Sequence, residues 1–254
     1  EAMSHTQDKM ASGSRIVKAM DDAAGLSISE NLKSSMRAIA RNILNVHDGF
    51  GLLQTADGAL NEITGIIIRM KELTVQAASD TNSEKERAYL DAEYQQLKLE
   101  IQRISDTTIF NARPLLNGEG GDVEIQVGTS NDDFKDRILV AANFDTNLGT
   151  IGLAPLSIGS QEDSRDALDP ISEALDKIAE IRGAIGAGES RLNSSLGSLT
   201  HYEENITAAY SQIKDADMAF ETAEAAKYNI LSQAGIAVLA QANNSPALAL
   251  KLLG

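Results

Sequence analysis

The chain is 254 residues long and carries 37 acidic against 22 basic side chains, a net charge of −15, with neither cysteine nor tryptophan. That charge excludes a general nucleic-acid binder, because no basic field is present to release counterions from phosphates. The lack of cysteine excludes a disulfide scaffold, a thiol nucleophile and a zinc–thiolate site. The histidines (His5, His47, His201) are scattered, which argues against metalloenzyme and triad chemistry. No run of about 18 apolar residues occurs, so no membrane-spanning helix is expected. No signal peptide is legible.

Prolines stand only at 114, 155, 170 and 246, leaving long stretches on either side of 114–170 free for uninterrupted helix. The first predicted helix runs from about Ala23 to Ala78, with Leu32, Ile39, Val46, Leu53, Leu60 and Ile67 recurring every seven residues. Met36, Ile43 and Phe50, then Ala56, Ile63 and Met70, accompany them. Such a helix is roughly 80 Å long, whereas a globule of this size has a radius of gyration of about 18 Å, so an elongated molecule is expected. Gly51, Gly58 and Gly65 also recur every seven residues inside the pattern. Two readings are open: a helix broken near Asp48-Gly49-Phe50-Gly51, or a smooth stripe where another backbone approaches closely.

A shorter middle helix shows Leu90, Leu97 and Ile104, with Tyr94 and Ile101 beside them. It opens on a capping box of Ser83 and Glu86, whose side chains can satisfy each other's backbone amides. The glycines at 118, 120 and 121 then introduce a change of character. The alternating run Val123-Glu124-Ile125-Gln126-Val127 reads as a half-exposed strand, and Arg137-Ile138-Leu139-Val140 as a second. The last bundle helix carries Ile171, Ile178, Ile185, Leu192, Leu199, Ile206 and Ile213 in strict register, the pattern of a coiled-coil seam. From Tyr228 to Leu250 no charged residue occurs, although Gln233, Gln241, Asn243 and Asn244 make this stretch too polar for a membrane span. Leu231, Ala234, Val238, Ala242, Leu248 and Leu252 predict a helix with a broad apolar face that requires a partner.

The fold class that follows is mainly α: an elongated antiparallel coiled-coil-like helical bundle with a small β-hairpin region inserted between N- and C-terminal helices. Catalytic machinery is not expected. Gly118-Glu119-Gly120-Gly121 lacks the Lys-Ser/Thr of a P-loop and reads as a turn. Asp132-Asp133 and Glu203-Glu204 read as solvated charge, and His201 as a packing or surface residue. No nucleophile, base and orienting group assemble. No catalytic, cofactor-binding or metal-ligating residue is predicted, and no cofactor.

Several long motifs, in order, resemble bacterial flagellins. They are Met10-Ala11-Ser12-Gly13-Ser14-Arg15-Ile16, Asp21-Asp22-Ala23-Ala24-Gly25-Leu26-Ser27-Ile28-Ser29, and Leu53-Gln54-Thr55-Ala56-Asp57-Gly58-Ala59-Leu60-Asn61-Glu62-Ile63. Arg69-Met70-Lys71-Glu72-Leu73-Thr74-Val75-Gln76-Ala77, Phe110-Asn111, Ile230-Leu231-Ser232-Gln233-Ala234-Gly235 and Val238-Leu239-Ala240-Gln241-Ala242-Asn243 follow. Met20 and the neighbourhood of His47 depart from the family pattern, and flagellins carry a further helical stretch ahead of the position of Glu1. The chain therefore reads as a short flagellin without that N-terminal segment.

The resemblance implies a structural subunit that polymerises into the extracellular filament used for motility, and no enzyme activity. It implies type III export, an export chaperone, contacts with hook-associated and filament cap proteins, and no membrane insertion. The implied partition is 1–22 as the end of the N-terminal D0 segment and spoke, 23–113 as the N-terminal half of the D1 bundle, 114–164 as its β-hairpin and loop region, 165–217 as the C-terminal D1 helix, and 218–254 as the C-terminal D0 helix. Leu32, Ile39, Val46, Leu53, Leu60, Ile67, Ile178, Ile185, Leu192, Leu199, Ile206 and Ile213 are the expected bundle core. Leu231, Val238, Leu248 and Leu252 are the expected filament-core packing. Arg69, Leu73 and Glu93 match positions through which some flagellins meet a vertebrate innate immune receptor. Two other readings are weighed: a hook–filament junction protein of the same superfamily, and a flagellin homologue acting as a surface adhesin. The second is the weaker, since 118–164 offers only Phe134 and Phe144 as aromatic platforms.

Overall fold

The computed structural model describes residues 2–253, with side chains described for residues 2–243. In chain order the elements are α1 (Ala2–Ser12), α2 (Ala23–Ala77), α3 (Glu84–Thr107), β1 (Ile109–Phe110), β2 (Arg113–Pro114), β3 (Val123–Gln126) and β4 (Arg137–Val140). They are followed by α4 (Leu148–Ile151), α5 (Gln161–Asp166), α6 (Leu168–Lys214) and α7 (Met218–Leu253). Two compact units result, one from residues 1–38 with 202–254, the other Ile39–His201.

Helix α2 begins where Asp22 Oδ1 accepts the Gly25 amide at 2.8 Å, a side-chain cap for an otherwise orphan donor. The helix passes through Asp48–Gly51 without a break, which removes the broken-helix reading. Within the second unit α2 and α6 run antiparallel: Asp57 meets Arg182 at 2.8 Å, and Lys71 meets Ser172 at 3.0 Å. Val46, Leu53, Leu60 and Ile67 of α2 are buried between the helices with Ile178, Ile185 and Leu192 of α6. Ile39 and Leu199 are also buried there. Pro170 lies in the first turn of α6, where its missing amide costs nothing.

Helix α3 opens on the expected capping box, Ser83 N donating to Glu86 Oε2 at 2.7 Å and Glu86 N to Ser83 Oγ at 3.4 Å. Its core contacts differ from the heptad reading. Tyr94 and Ile101 are buried, whereas Leu90, Leu97 and Ile104 are only half-buried. The face between is polar and buried, and it ties down non-helical backbone. Arg87 donates to the carbonyls of Ala77 and Ser79, both at 2.8 Å. Asp91 accepts the Ile158 amide at 2.8 Å, and Lys98 Nζ donates to the Ala154 and Leu156 carbonyls at 2.7 and 2.9 Å. Ser105 Oγ donates to Leu116 O at 2.9 Å. An irregular segment can lie against a helix because these side chains supply the partners its backbone would otherwise lack.

Strands β1 and β2 form a tight hairpin through Asn111 and Ala112, both at positive φ (47° and 64°), as a two-residue primed turn demands. Strands β3 and β4 pair antiparallel, Val123 opposite Val140 and Ile125 opposite Ile138. Ile125, Ile138 and Val140 turn inward, while Glu124 and Leu139 face out. Asn42 and Asn45 of α2 donate to the Val127 and Gln126 carbonyls, both at 3.1 Å, and Ile125 lies so close over Gly49 that a Cβ there would collide with it.

In the first unit α1 lies against α7. Short backbone bonds join the segments that follow α1 and α6: Arg15 N to Lys214 O at 2.7 Å and Ala216 N to Gly13 O at 3.0 Å. Arg15 adds Nη2 to Ile213 O at 2.9 Å. Asp21 accepts the Val17 and Lys18 amides and pairs with His5 Nε2 at 2.9 Å. Ile206 is buried in this unit, while Leu32 and Ile213 of the predicted core are half-buried.

Candidate assembly interface

Helix α7 is long because nothing in residues 218–243 interrupts it, and its side chains from Asn229 to Asn243 are all exposed. Ile230 and Val238 are each 66% exposed, and Leu231 is 56% exposed. Ile236 and Leu239 are equally open, although the sequence reading did not single them out. At about 100° per residue, Ile230, Leu231, Ile236 and Leu239 point in directions spread around the whole circumference. Asn229, Ser232, Gln233 and Asn243 gather within an arc of about 100°, and apolar side chains and alanines dominate the rest of the circumference. An exposed apolar surface of that breadth calls for a partner. Leu248 and Leu252 lie outside the residues whose side chains are described. The signal that finds the missed residues is the charge-free stretch itself, more than any periodicity within it.

At its foot α7 is anchored differently. Glu221 is buried and faces Lys9 of α1 at 3.5 Å, and an open cleft of about 870 Å³ between these helices is rimmed by Met20, Phe220 and Tyr228.

A second exposed feature lies on α2 in the second unit. Gly58 and Gly65 are on its surface, and a Cβ added to either would meet no heavy atom within 4 Å. The glycine stripe thus meets no backbone of its own subunit. Nearby, Arg69 pairs with Glu93 at 2.8 Å and with Glu72 at 3.1 Å. The Glu93 carboxylate, followed by that of Glu72, holds the guanidinium above its ordinary proton affinity. Leu73, predicted beside them, is fully buried, because its position on α2 turns toward the core. Only Arg69 and Glu93 of the three reach the surface.

The remaining chemistry is sparse. Among the described residues no group of three His, Cys, Asp or Glu side chains is placed to hold a metal, and no helix is long and apolar enough to cross a membrane. A cleft of about 430 Å³ bounded by α2, the β1–β2 turn and β3 holds Asp48, Arg113 and Glu124 but no nucleophile with a base to activate it. Tyr94 Oη is buried without a partner, and burial pushes its phenol well above the ordinary value, so it stays protonated.

Comparison with known proteins places these features. Residues 1–120 match the bacterial flagellin N-terminal helical region, and residues 168–253 match the C-terminal helical region. A flagellin of Halalkalibacterium halodurans is 42% identical over 97% of this chain and 90% of its own. A flagellin of Listeria monocytogenes is 33% identical over 100% of this chain and 92% of its own. The crystal structure of Bacillus cereus flagellin superposes with a TM-score of 0.55 at 32% identity, covering 66% of this chain and 94% of that one. A chain described as a flagellar hook-associated protein of Vibrio parahaemolyticus superposes with a TM-score of 0.66, but at 13% identity it shares the fold alone. Two matched terminal regions and full-length relatives together show that the chain belongs to the bacterial flagellins, the structural and non-enzymatic subunits of the extracellular flagellar filament.

Proposed function

We propose that α7 is the element through which this flagellin polymerises, its exposed apolar side chains being enclosed by the corresponding helices of neighbouring subunits. The observation that carries this reading is the exposure of Ile230, Leu231, Ile236, Val238 and Leu239 in one charge-free helix. Each large apolar side chain buried on assembly contributes about 1.5–3 kcal/mol. A carboxylate placed among them has no compensating partner and is costly to bury. The test is Val238→Asp with Leu239→Asp. Filament formation is expected to be lost by electron microscopy, with unchanged circular dichroism of the monomer, since neither side chain packs within it. Normal filaments from that variant would refute the reading.

On the same basis residues 1–22 and 218–254 are assigned to the inner D0 layer and its spoke, and 23–113, 114–164 and 165–217 to the surrounding D1 bundle. Support comes from the start of α2 at Ala23 and of α7 at Met218. The compact units instead cut through α2 and α6. Leu231, Val238, Leu248 and Leu252 are the proposed filament-core contacts. An apolar helix of this length requires a cover before assembly, which supports an export chaperone as partner. Hook-associated and cap proteins would meet the polymer's ends. For an innate immune receptor the exposed Arg69–Glu93 pair is the proposed contact, with Leu73 seating that turn of α2 from beneath.

A further inference from the structure

Asn117-Gly118 is the single Asn-Gly pair of the chain. A backbone nitrogen can attack the carboxamide of the preceding asparagine, and glycine, having no Cβ, hinders that attack least. The fold calls for this pair. Gly118 lies at φ 80°, in the left-handed region, and a Cβ there would come within 3.1 Å of the Asp145 carboxyl carbon. Asn117 forms an isolated antiparallel bridge with Asp145. Its carboxamide is held by Glu119, whose amide donates to Oδ1 at 3.0 Å and whose Oε2 accepts from Nδ2 at 3.2 Å.

The same fold restrains the peptide that would react. Gly118 N donates to Phe144 O at 3.0 Å, and Asn117 O accepts from Asn147 Nδ2 at 3.0 Å. Both ends of the 117–118 peptide plane are thus held. The adjoining rungs, Phe144 N to Leu115 O at 3.2 Å and Thr146 N to Leu116 O at 2.8 Å, involve the buried Leu115 and Leu116. Ring closure requires the Gly118 nitrogen to lose its proton and swing until it eclipses Cβ of Asn117. The extended backbone of a bridge residue keeps it away, and the swing breaks both bonds of the peptide. Asn117 and Gly118 are only half-buried, so water reaches them. It is the fixed peptide, and not dryness, that stops the reaction.

We infer that Asn117 is a site of spontaneous modification to aspartate and isoaspartate, open in the unfolded chain and shut by Phe144 and Asn147 in the folded one. The Gly118 nitrogen bonds to Asn117 Cγ as the Cγ–Nδ2 bond breaks, and ammonia leaves with the proton that the Gly118 nitrogen gave up. Water then opens the resulting succinimide at either carbonyl. The sum is hydrolysis of the carboxamide, with water consumed, ammonia released and no oxidant or reductant. Either product sets a new carboxylate beside Glu119 and Asp145, and isoaspartate also lengthens the main chain at a rung of the ladder. The inference rests neither on polymerisation nor on the role proposed for α7.

The test incubates the full chain at mildly alkaline pH, folded in buffer and unfolded in urea, and follows each asparagine by peptide mass spectrometry, where conversion adds about 1 Da. In urea, residue 117 is expected to convert ahead of the other asparagines. In buffer it is expected to convert at least about tenfold more slowly, the ratio reading the local opening equilibrium. Equal rates in the two conditions, or another asparagine converting first in urea, overturn the inference. Asn147→Asp keeps an acceptor for Gln102 Nε2, bound at 2.9 Å, but loses the donor to Asn117 O. With its fold verified by circular dichroism, this variant is expected to convert at 117 at least about threefold faster than the parent in buffer and equally fast in urea. An unchanged rate in buffer overturns the gate, and the comparison of folded with unfolded parent chain decides the inference even if the variant fails to fold.

Discussion

Gly58 and Gly65 each weaken α2 by the conformational freedom they lose, with no contact in the subunit to compensate. Replacing either by alanine is expected to raise the stability of the isolated chain by about 0.5–1 kcal/mol, read as a higher melting temperature. The same variants are expected to polymerise less well, since a methyl group would hold off an approaching helix. A lowered melting temperature would show that the open space is not real. Asp21 supplies a pH dependence. Amide donation from Lys18, followed by the bond from His5, lowers its carboxyl to about 2. Its folded value thus lies below its unfolded one, so its stabilisation is present above about pH 4 and is lost as pH falls from there through 2. Asp21→Asn is expected to flatten that acid limb in a circular-dichroism titration; an unchanged limb would remove the assignment.

At the scale of elements, the heptads of α2 and α6 were legible because their periodicity survives in the burial: Val46, Leu53, Leu60 and Ile67 on one helix and Ile178, Ile185 and Leu192 on the other are buried, while Leu32 and Ile213 at the ladder ends are half-buried. In α3 periodicity misled, since Leu90, Leu97 and Ile104 share a stripe that the fold leaves half-covered. Its buried positions include Arg87, Lys98 and Ser105, whose polarity reads as solvent exposure until the loops they bind are seen. Burial lowers the Lys98 amine's proton affinity, with the Asp91 charge opposing it in part, consistent with a cation whose direct partners are carbonyls. Lys98→Met is expected to cost about 1–3 kcal/mol by orphaning the Ala154 carbonyl and leaving that of Leu156 with only the long bond from Gln95. Faster amide exchange confined to 154–158 is the measurement; unchanged exchange there would show that the segment holds itself. The β1–β2 turn escaped notice because Asn111-Ala112 lacks the glycine that usually marks positive φ.

For the whole molecule, removing residues 228–254 is expected to leave Ile39–His201 folded and filament formation abolished. Helical circular dichroism reduced only by the lost segment, with no pelletable polymer, is the expected result. Filaments from the truncated chain would place assembly elsewhere. The four long helices, the two longer strands and the flagellin family were contained in the sequence, because each follows from local periodicity or a contiguous motif, whereas the shorter helices α1, α4 and α5 were not foreseen. The tertiary structure decided what periodicity cannot encode. Leu73 faces the core while Arg69 and Glu93 reach the surface, the polar face of α3 fastens the 154–158 segment, and Gly58 and Gly65 are left bare. Burial depends on which distant segments meet, and those meetings are fixed by packing and backbone hydrogen bonding across the fold and by no single stretch of chain.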